Sequence, residues 1–374
     1  MAASGQRPAG ERASERGARD IVSVDVVCLG ESMVTFLPST PGRLADVPSF
    51  HRGIGGAESN VACALAAAGH TARWVSRVGA DGFGDHLVDA VAAYGVDTSA
   101  VQRDPHRPTG VYFRTAGERA AAPGDGDAAE VVYYRTGSAA SAMSLANLSR
   151  RAVWGGRILH LSGITAALSA TCRGLMRGLT ARTPGRPPVS FDVNHRMHLW
   201  QGDARGPRLL LDLARGADLV LVGEDEAEAV WGISGAAAVR EALPEPGVLV
   251  VKQGAKGATA FAGDRASFEP APAVDVVAHV GAGDAFAAGF LSATLRGLPA
   301  RARLRHGHLM AAAALTVPGD IAVPPARAHA DRLAALDGRA WGTLRLGPGW
   351  TGHGTGAGAR PQGPAGHQVE VRRQ

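Results

Sequence analysis

The chain has 374 residues, 45% of them hydrophobic, enough for one large domain or two smaller ones, each with a core. The formal charge of +5 sits at the ends: residues 1–20 carry four Arg against three acids and residues 341–374 four Arg against one Glu. The middle is nearly neutral, which argues against a nucleic-acid partner; the lack of a long apolar run predicts no membrane span, and the polar N-terminus no secretion signal.

In chain order, residues 1–22 are too poor in apolar residues to offset ordering entropy and are expected to be a disordered tail. A single domain is then expected over 23–340. Short β-branched runs at 24–29, 73–78, 158–162, 189–193, 219–222 and 248–251 alternate with helical patterns at 59–68, 83–94, 170–182, 205–215 and 224–231. This βαβα order with fully apolar strands predicts an α/β fold with a doubly wound, mainly parallel sheet covered by helices on both faces. Two stretches break the alternation, 33–37 with 45–51 and 110–114 with 131–135. They read as antiparallel hairpins, and a small β lid is expected from about 33–52 and 108–137. From Asp284 the pattern is helical, at 284–296, 300–316 and 326–336, and a Gly/Pro-rich disordered tail is expected over 341–374. The three cysteines, Cys28, Cys63 and Cys172, are scattered in apolar stretches, which suggests a reducing cytoplasm and no disulfide framework.

Four segments carry candidate chemistry. HVGAGDAFAAGF is a glycine-rich turn running into a helix, where the N–H groups of Gly281, Ala282 and Gly283 and the helix dipole suit an anion. Asp284 there reads either as a base that accepts a hydroxyl proton or as a helix N-cap. GIGGAESN places Gly55 and Gly56 before a helix with Asn60 in its first turn, suited to a hydroxyl-rich ligand or simply to a helix start. FDVNHR ends an apolar strand in Asp192, Asn194 and Arg196, at the strand end where open α/β sheets bind ligands. Arg196 could grip a carboxylate or phosphate with two prongs. VVKQGAKG holds Lys252 and Lys256, the only lysines among 39 basic residues, beside Gly254 and Gly257; an ammonium near a nucleotide and coincidence both fit. The acid-rich helix start GEDEAE favours the helix dipole, and one of its acids could also hold magnesium through water. The histidines form no zinc-binding pattern, and neither a P-loop nor a GxGxxG dinucleotide fingerprint is present.

Taken in order, the double glycine with Asn, the DxNxR strand end, KxGxxG and GAGD resemble the ribokinase-like (PfkB-type) sugar kinases over about residues 24–337. Within them, GESMVTFLP, TGVYFR, YYRTGSAAS, HLSGITAALS and DVNHRMHLW are most similar to 2-keto-3-deoxygluconate kinases. The resemblance implies ATP-dependent phosphorylation of a primary hydroxyl of a sugar acid, with Asp284 as base and the Gly281, Ala282 and Gly283 amides stabilising the phosphoryl oxygens. It implies a substrate carboxylate at Arg196, Tyr112 and Arg114 reaching in from the lid, and hydroxyls at Gly55, Gly56 and Asn60. Arg135 adds a third guanidinium suited to an acid sugar. Asn194, Lys252, Gly254, Gly257 and His308 fall on the nucleotide side, and Glu226 is the magnesium-side candidate. The family's acid before GAGD is replaced by Ala278 and His279, which puts activation by a monovalent cation in doubt. Gly223 and His308 also depart from the pattern and leave open another family sugar (fructose, ribose, 5-dehydro-2-deoxygluconate) or a sugar-acid binder with degraded kinase activity. Unpaired lid edges suggest a homodimer or larger homo-oligomer.

Overall fold

The computed structural model describes residues 23–40, 42–115 and 131–352. Its main sheet has eight strands in the spatial order Arg265–Glu269, Ala258–Ala262, Val248–Lys252, Leu219–Gly223, Val189–Asp192, Gly156–Ser162, Val24–Leu29 and Ala72–Val75. The six strands from Val248–Lys252 to Ala72–Val75 are parallel. They read as unbroken apolar runs because helices cover both faces. Helices Ala170–Thr180 and Gly206–Gly216 pack into one apolar cluster and helices Ala57–Ala67, Ala282–Leu295 and Ala300–Leu315 into the other. Cys28, Cys63 and Cys172 are buried as free thiols. No helix among the described residues is long and apolar enough to cross a membrane.

Three sequence expectations change. The edge hairpin Ala258–Ala262 with Arg265–Glu269 is antiparallel and had no counterpart in the sequence reading, because its half-exposed ATAFA and RASFE patterns lack a continuous apolar run. In the lid, the strand expected at 45–51 is Phe50–Gly55. Residues 44–46 turn instead, and Pro48 has no N–H to give a ladder. It pairs antiparallel with Met33–Pro38, as Val111–Arg114 does with Val131–Tyr134, and a parallel pairing of Val34–Phe36 with Val111–Phe113 joins the two hairpins into one sheet. The third change is at the C-terminal end. The tail expected from 341 starts inside the fold: Trp341 is fully buried, its indole N–H donates to the Pro270 carbonyl at 2.8 Å, and Arg345–Leu346 pairs with Ala273–Val274. Apolar Trp341, Leu344 and Leu346 offset the Gly content that suggested disorder there. Residues 1–22 and 353–374, also expected as tails, lie outside the described residues.

Candidate active site

The turn before the helix Ala282–Leu295 is closed by Gly281, whose φ of 73° lies in the left-handed region and whose missing Cβ leaves room for the carbonyl of Asp320. Gly281 is the N-cap, so Asp284 is the third helical residue and its side chain caps nothing. Its Oδ2 accepts from Asn60 Nδ2 at 2.9 Å and its Oδ1 faces Asn194 Nδ2 at 3.5 Å. The helix-cap reading of Asp284 is thereby set aside. Burial raises its pKa to about 7. The Asn60 hydrogen bond and the charges of Arg196 and Lys252 pull the other way, and Asp192 adds to the rise. The residue as a whole is half-buried. The first intrahelical bond after the turn runs from Ala285 N–H to the Gly281 carbonyl at 2.9 Å, which leaves the N–H groups of Ala282, Gly283 and Asp284 available to an anion.

Asn60 and Asn194 come from opposite ends of the fold. Asn60 lies in the first turn of the helix Ala57–Ala67, whose approach past Gly55 and Gly56 is so close that a Cβ on Gly55 would overlap the hydroxyl of Tyr112. The Asn60 amide is occupied by Asp284, and its Oδ1 is buried without a hydrogen-bond partner. The sequence assigned Asn60 to a substrate hydroxyl; here its Nδ2 also orients the acid. Asn194 follows the strand Val189–Asp192 with φ 39°, the one non-glycine residue at positive φ among the described residues. Arg196 stands two residues further on, at the start of a short helix, close enough to Asp284 for its charge to be felt.

Beside this group, Lys252 Nζ donates to both oxygens of Asp192, at 3.1 and 2.9 Å. Burial opposes its charge, yet Asp192, Glu226 and Asp284 together raise its pKa. An ideal Cβ on Gly283 would stand 3.8 Å from the same Nζ, so Lys252 borders the catalytic-type turn. Lys256 is surface-exposed near Glu224. Glu226 is buried and accepts the Gly223 N–H at 2.7 Å, one half of a capping box. No group of three or more metal-ligating side chains occurs among the described residues. Gly254 is open to solvent, whereas Gly257 lies against the backbone of Glu269. His308, expected beside a nucleotide, points into the interior. Its Nε2 is 3.1 Å from the Glu269 carbonyl, its ring meets Phe286 edge-on, and burial lowers its pKa to about 4. A neutral imidazole so enclosed cannot reach a ligand.

The lid brings its polar groups already paired. Arg114 Nη2 bonds Asp320 Oδ1 at 2.7 Å and the Tyr112 hydroxyl donates to Asp320 Oδ2 at 3.2 Å, all three on buried or nearly buried side chains. Arg135 Nε donates to Glu31 Oε2 at 2.8 Å, and Ser138 holds the other oxygen of Glu31 at 2.6 Å. Two of the three arginines expected to face a sugar acid therefore already face a carboxylate. Tyr133, between Tyr112 and His198, stacks on both, at 5.3 and 4.7 Å, and ties the lid to the Arg196 segment. Asp192 had been named at its strand end but given no role, and Asp320, Glu31 and His198 were not among the predicted site residues. Asp192, at the end of a strand with Asn194, carried a usable signal; Asp320, in an irregular Gly/Pro segment, carried none.

With this geometry in place, comparison with known proteins is direct. The family of pfkB family carbohydrate kinases matches residues 24–327. The chain is 34% identical over 312 residues to a 2-dehydro-3-deoxygluconokinase of Bacillus subtilis, covering 82% of this chain and 94% of that protein. It is 32% identical over 313 residues to one of Thermoproteus tenax, covering 83% and 94%. Among solved structures, the 2-dehydro-3-deoxygluconokinase of Thermotoga maritima superposes with a TM-score of 0.73 at 25% identity, covering 84% of this chain and 99% of that one. The chain thus belongs to the pfkB family of carbohydrate kinases.

Proposed function

We propose that the enzyme transfers the γ-phosphoryl group of ATP to a primary hydroxyl of 2-dehydro-3-deoxygluconate or a closely related keto-deoxy sugar acid. The observation that carries the reading is Asp284: a carboxyl at the third position of a helix that it does not cap, oriented by two asparagines and tuned to about 7. In the transfer, the substrate hydroxyl gives its proton to Asp284 while its oxygen bonds to the γ-phosphorus and the bond to ADP breaks. The amides of Ala282 to Asp284 face the negative charge on the transferred group, and Lys252 supplies a fixed positive charge at the edge of the turn. Arg196 is the guanidinium assigned to the substrate carboxylate. Gly55, Gly56 and Tyr112 border the remaining hydroxyls, with Arg114 and Arg135 behind them.

The residues present suit magnesium carried by phosphate oxygens and water, since Glu226 has one oxygen on the Gly223 amide and no further cluster of ligands surrounds it. Bound so, the ion would neutralise phosphate charge. Asn194 and Gly254 are the remaining residues assigned to the nucleotide side. We also infer a homodimer through the lid. Its outer face groups Phe36, Phe50 and Phe113, and leaves Tyr134 and Val132 exposed beside them.

A coupled assay of ADP release over a panel of neutral sugars and sugar acids tests the substrate. Turnover on 2-keto-3-deoxy acids far above that on fructose or ribose is expected; turnover on neutral sugars alone would remove the Arg196 assignment.

A further inference from the structure

A groove of 1120 Å³ has none of Asp284, Asn60, Asn194, Arg196 or Lys252 in its wall. It runs between the lid strands, the helix Gly82–Ala93, the C-terminal half of Ala282–Leu295, the middle of Ala300–Leu315 and residues 319–327. Along the helix that carries Asp284 its wall extends from Gly289 to Arg296, five to twelve residues beyond the acid, or about 8 to 18 Å at 1.5 Å per residue. Asp320 and Arg114, which border the reaction centre, also line the groove.

Its lining is mainly apolar, with Ala90, Ala93, Leu309, Met310 and Val323 along its length, and its size is at the upper end of small-ligand sites, about 300–1,000 Å³. The charged groups on the wall are not balanced. Asp331 already bonds Arg296, at 2.8 and 2.9 Å, and His306, at 3.1 Å; Asp320 is taken by Arg114. Among the described residues, Arg52 and Arg327 then stand against Asp89, an excess of one positive charge. Burial lowers the pKa of both histidines around the groove; Arg52 adds to this at His86 and Arg296 at His306, while Asp89 and Asp331, respectively, act against it. Three buried polar atoms of wall residues also lack a hydrogen-bond partner among the described residues: Oγ1 of Thr35, Nε2 of His86 and Nε of Arg114, whose side chain is 5% exposed.

An apolar channel with a single surplus cation and unpaired nitrogens at its wall matches a single-headed organic anion. A dianion such as a phosphate ester would meet Asp89 and Asp320 with more charge than the arginines offset. We propose that this groove binds a small carboxylate with an apolar body, separately from the reaction centre. Whatever lies there rests against the segment that carries Asp320.

The test is titration calorimetry of the full chain with decanoate, alongside decanol, which has the same body without charge, and acetate, which has the charge without the body. Saturable binding of one decanoate per chain is expected, at least about tenfold tighter than decanol, with no binding of acetate. Ala93→Trp, at the exposed lip, should fill the groove and weaken decanoate at least about tenfold. Arg327→Gln, also exposed, should weaken it about fivefold, and both should leave phosphoryl transfer unchanged. Equal affinity for decanol, binding undiminished in Ala93→Trp, or loss of decanoate binding on self-association at higher protein concentration would each overturn the proposal. The readout is binding, so it stands or falls independently of the assigned kinase substrate.

Discussion

Two carboxyls in this molecule have both been lifted to about 7 by burial, yet they stand in opposite surroundings. Asp284 is half-buried as a residue and is held by asparagines from two distant segments. Glu58, two residues before Asn60, is fully enclosed. Its Oε1 accepts from Ser162 N–H, Ser162 Oγ and Thr165 Oγ1 at 3.2, 2.8 and 2.9 Å, while Oε2 has no hydrogen-bond partner. The difference teaches that a raised pKa alone does not mark a reacting group. The origin of the partners does: Glu58 pins one helix start to the end of a strand, and Asp284 is held by asparagines from two other segments beside a helix start with free N–H groups.

The largest expected effect is at Asp284. Asp284→Asn should lower turnover about 10³-fold with little change in sugar-acid affinity, read by steady-state kinetics beside calorimetry. A matching loss in Glu58→Gln would erase the distinction between the two carboxyls. Next in size, Arg114→Gln removes the guanidinium from a buried ion pair with Asp320 and should cost about 3 kcal/mol of stability by denaturant melts, with much of it recovered in Arg114→Gln/Asp320→Asn. Simple additivity of the two changes would show that the ion pair is not formed.

Glu58 offers a pH signature of its own. Its folded pKa, about 7, lies above the unfolded value near 4.5, so the folded state binds the extra proton between them. Stability contributed by this group is present below about pH 4.5 and lost as pH rises towards 7, by at most about 3 kcal/mol. Glu58→Gln should flatten that slope in thermal melts taken from pH 5 to 7. For the base the sign is reversed in activity: Asp284 must be ionised, so log kcat/KM should climb through about pH 7. Asn60→Ala removes a hydrogen bond that favours the ionised form and should move this limb upward by about half a unit to one unit. A limb that stays put would mean that Asn60 does not touch the acid. The smallest effect concerns potassium: with Ala278 and His279 before the turn, the rate should change less than about twofold between sodium and potassium buffers.

The parallel sheet was legible because its strands, such as Leu219–Gly223, are apolar on both faces and cannot be mistaken for wet loops. The GAGD turn was legible because the glycines leave so few alternatives. The edge hairpin at Ala258–Ala262 was not, since one wet face dilutes the pattern, and neither was the order after Trp341, which rests on three apolar residues among glycines. Within the site, the sequence singled out Asp284 and Lys252, which the fold brings to one turn, but could not assign their partners. Nothing in the order of residues says that the Asn60 amide turns to Asp284 and not to solvent, or that Asp320, 206 positions from Arg114, is its counter-ion. His308 misled for the same reason: its neighbours in space, Glu269, Phe286 and Trp341, are scattered along the chain.

The strand Arg345–Leu346 pairs with Ala273–Val274, the segment that leads into the turn at Gly281. Synthesis proceeds from the N-terminus, so this strap is among the last pieces of the fold to leave the ribosome. A nascent chain that has emerged only to residue 327, where the family match ends, carries Asp284, Lys252 and Arg196 but has nothing to pair with Ala273–Val274. The lead-in to the turn at Gly281 therefore gains its pairing partner only after every strand of the main sheet has been synthesised.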